Sequence, residues 1–265
     1  LLSKAAVTGL PSRFDRDRVM DDAFFNAVDA VSVAQVQQFL ETSPYGGGQR
    51  CFLADVRVGG VSAAQAIVDG ARSQGINPIV MIARMQVEKG LISKTRNPGG
   101  NAVDFAFGCG CPDNRACSES RRGLDKQIEC AAQTLRRWYD GSVRGDGLWV
   151  RGVGKRTLDP ITVTPANHAT ASLYAYTPWV LDGRGGNWLV WNVTRRHAQH
   201  FASLGPINVQ PGEPAPPAAR PAWIGTPCDA DARCDFAGGR CEGGICTQAC
   251  AGTCPDRGGY ATTFC

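Results

Sequence analysis

Apolar residues recur at helical spacing in six stretches of the chain. In 31–40, VSVAQVQQFL, the residues Val33, Val36, Phe39 and Leu40 share one face, and Ser32 followed by Gln35 fits a capping box. The stretch 62–74, SAAQAIVDGARSQ, repeats the device with Ser62 and Gln65 and turns Ala64, Ile67, Val68 and Ala71 inward. Gly75 ends that helix; Asn77 caps the next, and Pro78 occupies its first turn. The helix that follows to Lys89 is apolar nearly all round in its first half, so it is expected to be buried. Its far end changes character at Gln86, Glu88 and Lys89 and closes at Gly90. Stretch 123–140 carries Leu124, Ile128, Ala131, Leu135 and Trp138 on one face. A further helix is expected over 165–177, begun after Pro165, and another over 187–202, with Trp188, Val190, Trp191 and Phe201. Residues 93–122 and 141–164 are rich in Gly, Arg and Asp, and fit loops and a small hairpin. The expected fold is mainly α, a helical domain with a minor β element.

Composition adds a second, smaller part. The chain has 265 residues, 43% of them hydrophobic, which is enough for a packed core and excludes global disorder. Twelve cysteines are unevenly spread. Five lie in the first 205 residues (Cys51, Cys109, Cys111, Cys117 and Cys130) and seven fall after residue 227. Between the groups, 206–222 holds six of the prolines and reads as an extended linker. The expected organisation is therefore a body over 1–205, a linker over 206–222 and a disulfide-rich module over 223–265. That module is too poor in Leu, Ile and Val for a hydrophobic core. It lacks the paired spacing of a zinc site, so disulfides are expected to hold it. Both cysteine groups are odd in number: either one bridge crosses between the parts, which an oxidising compartment favours, or each part keeps a thiol. Cysteine usage and the start at Leu1 suggest a secreted chain whose leader has been removed.

Charge changes the picture only slightly. The formal net charge is +4. The module carries three arginines against five acids, and Arg220 balances Glu213 in the linker, leaving +6 on the body. Such a body suits an anionic polymer such as a bacterial cell wall, or is ordinary solubility charge. No Lys/Arg run points to nucleic acid, and no apolar run of about 18 residues points to a membrane span.

Candidate chemistry centres on Glu88. Its carboxylate sits where a buried helix meets solvent, the setting of a carboxylic acid that donates a proton near neutral pH. The competing reading is a surface Glu paired with Arg84 at i−4. Asp104 and Asp113, in the loop that follows, are candidates for a second carboxylate. Tyr174 and Tyr176 either line a sugar groove or pack the core. His197 and His200 lack a third ligand, so a surface helix is expected there rather than a metal site. The sequon at Asn192 lies in an expected helix. No phosphate-binding or dinucleotide fingerprint appears, and no cofactor or metal is expected.

Several ordered blocks carry a resemblance. They are VSVAQVQQFL, SAAQAIVDGA, GINPIVMIARMQVEKGLI over 75–92, FGCGCPDNRAC over 107–117 and NHATASLYAYTP over 167–178. Together they resemble a secreted bacterial family of the lysozyme-like superfamily over about residues 20–205. The resemblance implies a glycosidase or lytic transglycosylase acting on an amino-sugar polysaccharide, with peptidoglycan preferred and chitin or chitosan as runners-up. It implies Glu88 as general acid; around that role Asp113 is the expected second carboxylate, and Gln86, Asp104, His168, Tyr174 and Tyr176 are the expected substrate-binding positions. The expected protein is a secreted monomer whose partner is the polysaccharide alone. The transglycosylase sequence E-S with a following G-L-M-Q is absent, and Lys89-Gly90 stands after Glu88. That departure favours the rival reading, a glycan-binding protein that keeps the fold without catalysis. On this view of Glu88, exchange for Gln abolishes fragment release and leaves the melting temperature nearly unchanged.

Overall fold

Eight consecutive residues, Pro78 through Met85, are buried in one helix, α4 (Pro78–Lys89). A helix with no polar face in this half has neighbours on every side, and the body is arranged around it. The computed structural model describes residues 7–112, 115–209 and, within 223–249, all but 227, 229, 232, 233 and 235. Before α4 come α1 (Asp22–Phe25), α2 (Val33–Glu41), a short hairpin of β1 (Arg57–Val58) and β2 (Val61–Ser62), and α3 (Ala63–Ser73). After it come α5 (Gly100–Asp104), α6 (Leu124–Arg144), a second hairpin of β3 (Lys155–Arg156) and β4 (Thr162–Val163), α7 (His168–Tyr176) and α8 (Gly186–Leu204). Helix α4 lies against α8, α3 and α6, while α6 runs along α7.

Local signals fix the helix starts. The Ser32 hydroxyl accepts from the Gln35 N–H at 3.2 Å, and Gln35 Oε1 accepts from the Ser32 N–H at 2.9 Å, a complete capping box. Asn77 does more than cap. Its Oδ1 accepts from the Ile79 N–H at 2.9 Å while its Nδ2 donates to the Phe24 carbonyl at 2.9 Å, so the start of α4 is tied to α1. Gly90 closes α4 in the left-handed region at φ +63°, where a side chain would be strained. In the fifth helical stretch the cap is Asn167, two residues beyond Pro165, because its side chain accepts from the Thr170 N–H at 2.9 Å.

The fold class is helix-rich with small two-stranded hairpins. The β element lies in 141–164; within 93–122 the described residues form α5 and short 3-10 turns but no strand. The β1–β2 hairpin escapes a pattern reading because two residues per strand are too few to show alternation. Among the described residues, no helix is long and apolar enough to cross a membrane.

The cysteines correct one expectation. In the body Cys109 pairs with Cys130 and Cys111 with Cys117, and Cys51 stays a buried thiol that donates to the Leu91 carbonyl at 3.4 Å. The odd cysteine is accommodated by the core, so the body offers no half of a cross-bridge. In the module, β5 (Gly239–Glu242) and β6 (Ile245–Gln248) form a hairpin. Bridges Cys228–Cys241 and Cys234–Cys246 hold it. The sulfurs of Cys228, Cys234 and Cys246 lie within 4.8 Å of one another because the two bridges stack, and bridged sulfurs are not metal ligands. At the other end of the linker, Asn208 donates to the Ala30 carbonyl at 2.9 Å, and Ile207 and Val209 pack against the core, so 206–209 belong with the body.

His197 is a second correction. It is fully buried on α8, on the stripe of Val190, Thr194 and Phe201, with Nε2 3.1 Å from the Tyr45 hydroxyl and Nδ1 without a partner among the described residues. Phe39 of α2 meets it edge-on at 5.1 Å. Burial first, then the neighbouring Arg196 and His200, push its pKa down to about 3. The unfolded chain binds this proton near the ordinary 6.5, so between pH 6.5 and 3 unfolding takes it up and stability falls as the pH is lowered. We expect the stability advantage of wild type over His197→Gln to shrink on acidification by up to about 1.4 kcal/mol per pH unit. Urea unfolding from pH 7 to 4 checks this; parallel curves for the two proteins would contradict it.

Candidate functional site

Glu88 is the penultimate residue of α4, its side chain 27% exposed. One turn earlier on the same face stands Arg84, fully buried. Its Nη2 donates to Glu88 Oε1, and its guanidinium lies over the Tyr176 ring at 4.2 Å. Tyr176 in turn donates its hydroxyl to the Phe107 carbonyl at 2.9 Å. Burial pushes the Tyr176 phenol up to about 12, so it stays protonated and keeps that bond. The pairing at i−4 is therefore present, but it is not a solvated surface pair: the cation is in the core, and Nε and Nη1 of Arg84 have no partner among the described residues. A buried charge held by one carboxylate makes that carboxylate structural as well as available.

The other Glu88 oxygen, Oε2, borders Gly108: a side-chain carbon placed there would come 3.4 Å from it. Gly108 has φ +63°, so glycine serves twice, for backbone conformation and for room. The segment carrying it is anchored on both sides. Phe105, Ala106 and Phe107 are buried. Beyond them, the buried Gln127 of α6 uses its whole amide: Oε1 accepts from the N–H groups of Phe107 (3.2 Å) and Cys109 (3.1 Å), and Nε2 donates to the carbonyls of Cys109 and Arg121, both at 2.8 Å. The Cys109–Cys130 bridge adds a covalent tie to α6.

A cleft of about 400 Å³ opens along this wall. Gly108, Cys109 and Gly110 line one side, Cys130, Thr134, Arg137 and Trp138 of α6 another, with Tyr176 and Arg121 at its edges. Trp138, expected in the core, is only half-buried and lies beneath the Arg137 guanidinium at 4.9 Å. The lining offers aromatic surface, a hydroxyl and two cations.

The remaining sequence-derived positions divide. Tyr176 lines the cleft. Tyr174, one face away on α7, is fully buried against Trp149 at 5.1 Å, where no sugar reaches its ring. Gln86 is engaged locally, its Oε1 accepting from the Ser93 N–H at 3.1 Å. Asp104 pairs with Arg122 at 2.5 Å. His168 stands at the opposite end of α7 from Tyr176, about 12 Å along the helix, with Nδ1 2.9 Å from the Ser142 hydroxyl. Burial lowers its pKa, with Arg151 acting in the same sense and Asp22 against it. Asp113 lies outside the described residues. Arg121, Thr134, Arg137 and the fully bonded Gln127 went unnoticed in the sequence. Cys130, Thr134, Arg137 and Trp138 do share one face of α6 at i, i+4, i+7 and i+8, a signal that the apolar stripe of the same helix obscures.

Compared with known protein families, with curated proteins and with solved structures, the chain matches none.

Removing the Glu88 carboxylate leaves the Arg84 charge buried without a counter-ion, so the melting temperature will not stay unchanged on its loss. Glu88→Ala is expected to cost about 2–4 kcal/mol, or roughly 5–15 °C in Tm. Adding Arg84→Met should recover at least half of that loss, because the unpaired cation goes with it. Thermal unfolding of the single and double variants decides it; a double variant no better than Glu88→Ala would deny the pair its structural part.

Proposed function

We propose that this protein is a secreted glycan-cleaving enzyme, a glycosidase or lytic transglycosylase on a lysozyme-like helical fold, acting on β-linked amino-sugar polysaccharide such as peptidoglycan. One observation carries the reading: a partly exposed carboxylate fixed at the end of the buried central helix, beside a cleft whose wall is clamped by a disulfide and a fully bonded glutamine. The four disulfides among the described residues fit an extracellular setting.

In this mechanism Arg84 holds Oε1 of Glu88, and Oε2 carries the proton to the glycosidic oxygen. The bond from that oxygen to the anomeric carbon breaks, leaving an oxocarbenium-like centre. A hydroxyl of the substrate then closes a ring on that carbon and returns its proton to Glu88; in the hydrolytic version, water takes this part with help from a second carboxylate. Of the two candidates for that second carboxylate, Asp104 is held by Arg122.

The second reading, a glycan-binding protein without catalysis, is favoured by the same ion pair, since it gives Glu88 a structural task that needs no catalysis. Wild type and Glu88→Gln, incubated with peptidoglycan, chitin and chitosan, separate the two by reducing-end assay and mass spectrometry of the products. We expect wild type to release fragments, and Glu88→Gln to lose at least about 100-fold in rate while still folding. Anhydro ends would mark a transglycosylase and reducing ends a hydrolase. Undiminished release by Glu88→Gln would remove the assignment; binding by wild type with no new ends would establish the second reading.

A further inference from the structure

The cleft is asymmetric in charge. Its charged lining residues, Arg121 and Arg137, are both cationic, and no carboxylate lines it among the described residues. The arginines beside them in sequence are occupied: Arg122 by Glu119 and Asp104, Arg136 by the Gln74 carbonyl and Asn26. Arg121 and Arg137 have no carboxylate partner among the described residues, although two cations facing one cleft repel each other. The backbone and stem of Arg121 are held in place, while Arg137 is exposed. The carbonyl of Arg121 accepts from Gln127 Nε2 at 2.8 Å, and its N–H donates to the Ser118 carbonyl at 2.9 Å. Its aliphatic stem lies across Gly110, where a side-chain carbon would come 3.0 Å from Arg121 Cγ; Gly110 has φ +79°. Arg137 rests over Trp138.

We infer that this cleft takes a sugar bearing a free carboxylate, with Arg121 and Arg137 binding the carboxylate and Trp138 giving apolar surface to the ring. A guanidinium presents paired N–H donors that match the two oxygens of a carboxylate, and indole faces pack on pyranose rings. The cleft therefore selects acidic glycans over neutral chitin and rejects cationic chitosan. The inference rests on the glycan reading above, but not on Glu88 acting as an acid.

The test uses the full chain and titration calorimetry with four probes: N-acetylglucosaminyl-N-acetylmuramic acid, an oligogalacturonate, N-acetylchitotetraose and chitosan tetramer. At least one of the two acidic probes should bind about 10-fold or more tightly than the neutral one, chitosan should bind most weakly, and the acidic preference should shrink with added salt. Arg121→Gln and Arg137→Gln should each weaken the acidic probe about 5-fold or more, leaving Tm and binding of the neutral probe unchanged. Binding of the muramyl probe alone would identify a muramyl polymer, and of the galacturonate alone a polyuronate; either supports the subsite. Equal binding of acidic and neutral probes, no binding of any probe, or an acidic preference that survives in the double variant would overturn it. Inorganic phosphate competing as well as an acidic sugar would also overturn it, as a site for any anion. A preference abolished in the double variant while Glu88→Gln still cleaves leaves this inference standing and removes the catalytic one; the reverse pattern does the opposite.

Discussion

A guanidinium buried in the centre of a protein is costly unless charge and hydrogen bonds meet it, and Arg84 imposes that constraint here. Helix α4 carries it into the core four residues before the chain returns to solvent. Its charge is met by Glu88 on the next turn and by the face of Tyr176 from α7. Those two partners fix where α4 can end and where α7 must cross. The same contacts aim one oxygen of Glu88 at Gly108 and leave Tyr176 reaching to the Phe107 carbonyl. Stability and the candidate chemistry thus depend on one carboxylate.

The contrast with Arg136 is instructive. That side chain also lies against aromatic rings, at 4.8 Å from the Tyr139 centroid, yet it donates to the carbonyls of Gln74 and Gly75 and to Asn26. It joins α6 to the turn before α4 with its donors engaged. Arg84 keeps Nε and Nη1 unpaired among the described residues. On the proposed reading, it fixes the proton donor.

The wall of the cleft follows another logic. The described residues between Phe105 and Arg121 have little regular structure, so their backbone groups need partners from elsewhere. Gln127 supplies four of those bonds from one amide, and two disulfides shorten the remaining freedom. A loop held this firmly can present glycines at close quarters and carry Arg121 to the cleft, where it meets Arg137 of α6. Gly108 of this segment borders the proposed acid and also lines the cleft.

Much of the fold was legible from residue order. The 3.6-residue apolar spacing located α2, α3, α4, α6, α7 and α8, and Ser32, Ser62, Asn77 and Gly90 marked their ends, because caps and faces are properties of neighbours along the chain. The cysteine-rich module, unable to build a core, declared its bridges through composition. Glu88 and its partner at i−4 were visible for the same local reason. What spacing did not reveal were relations between distant segments. Only the folded chain places Tyr176 beneath Arg84, Gly108 beside Glu88, and Gln127 across the 105–121 loop. Only it buries Tyr174 and His197 and leaves Trp138 at a cleft, since burial is set by which helices pack on a face and not by the face itself. The sequence determined which helices form and how they begin and end; tertiary packing decided which of their charges meet, because electrostatic partners are chosen by proximity in space.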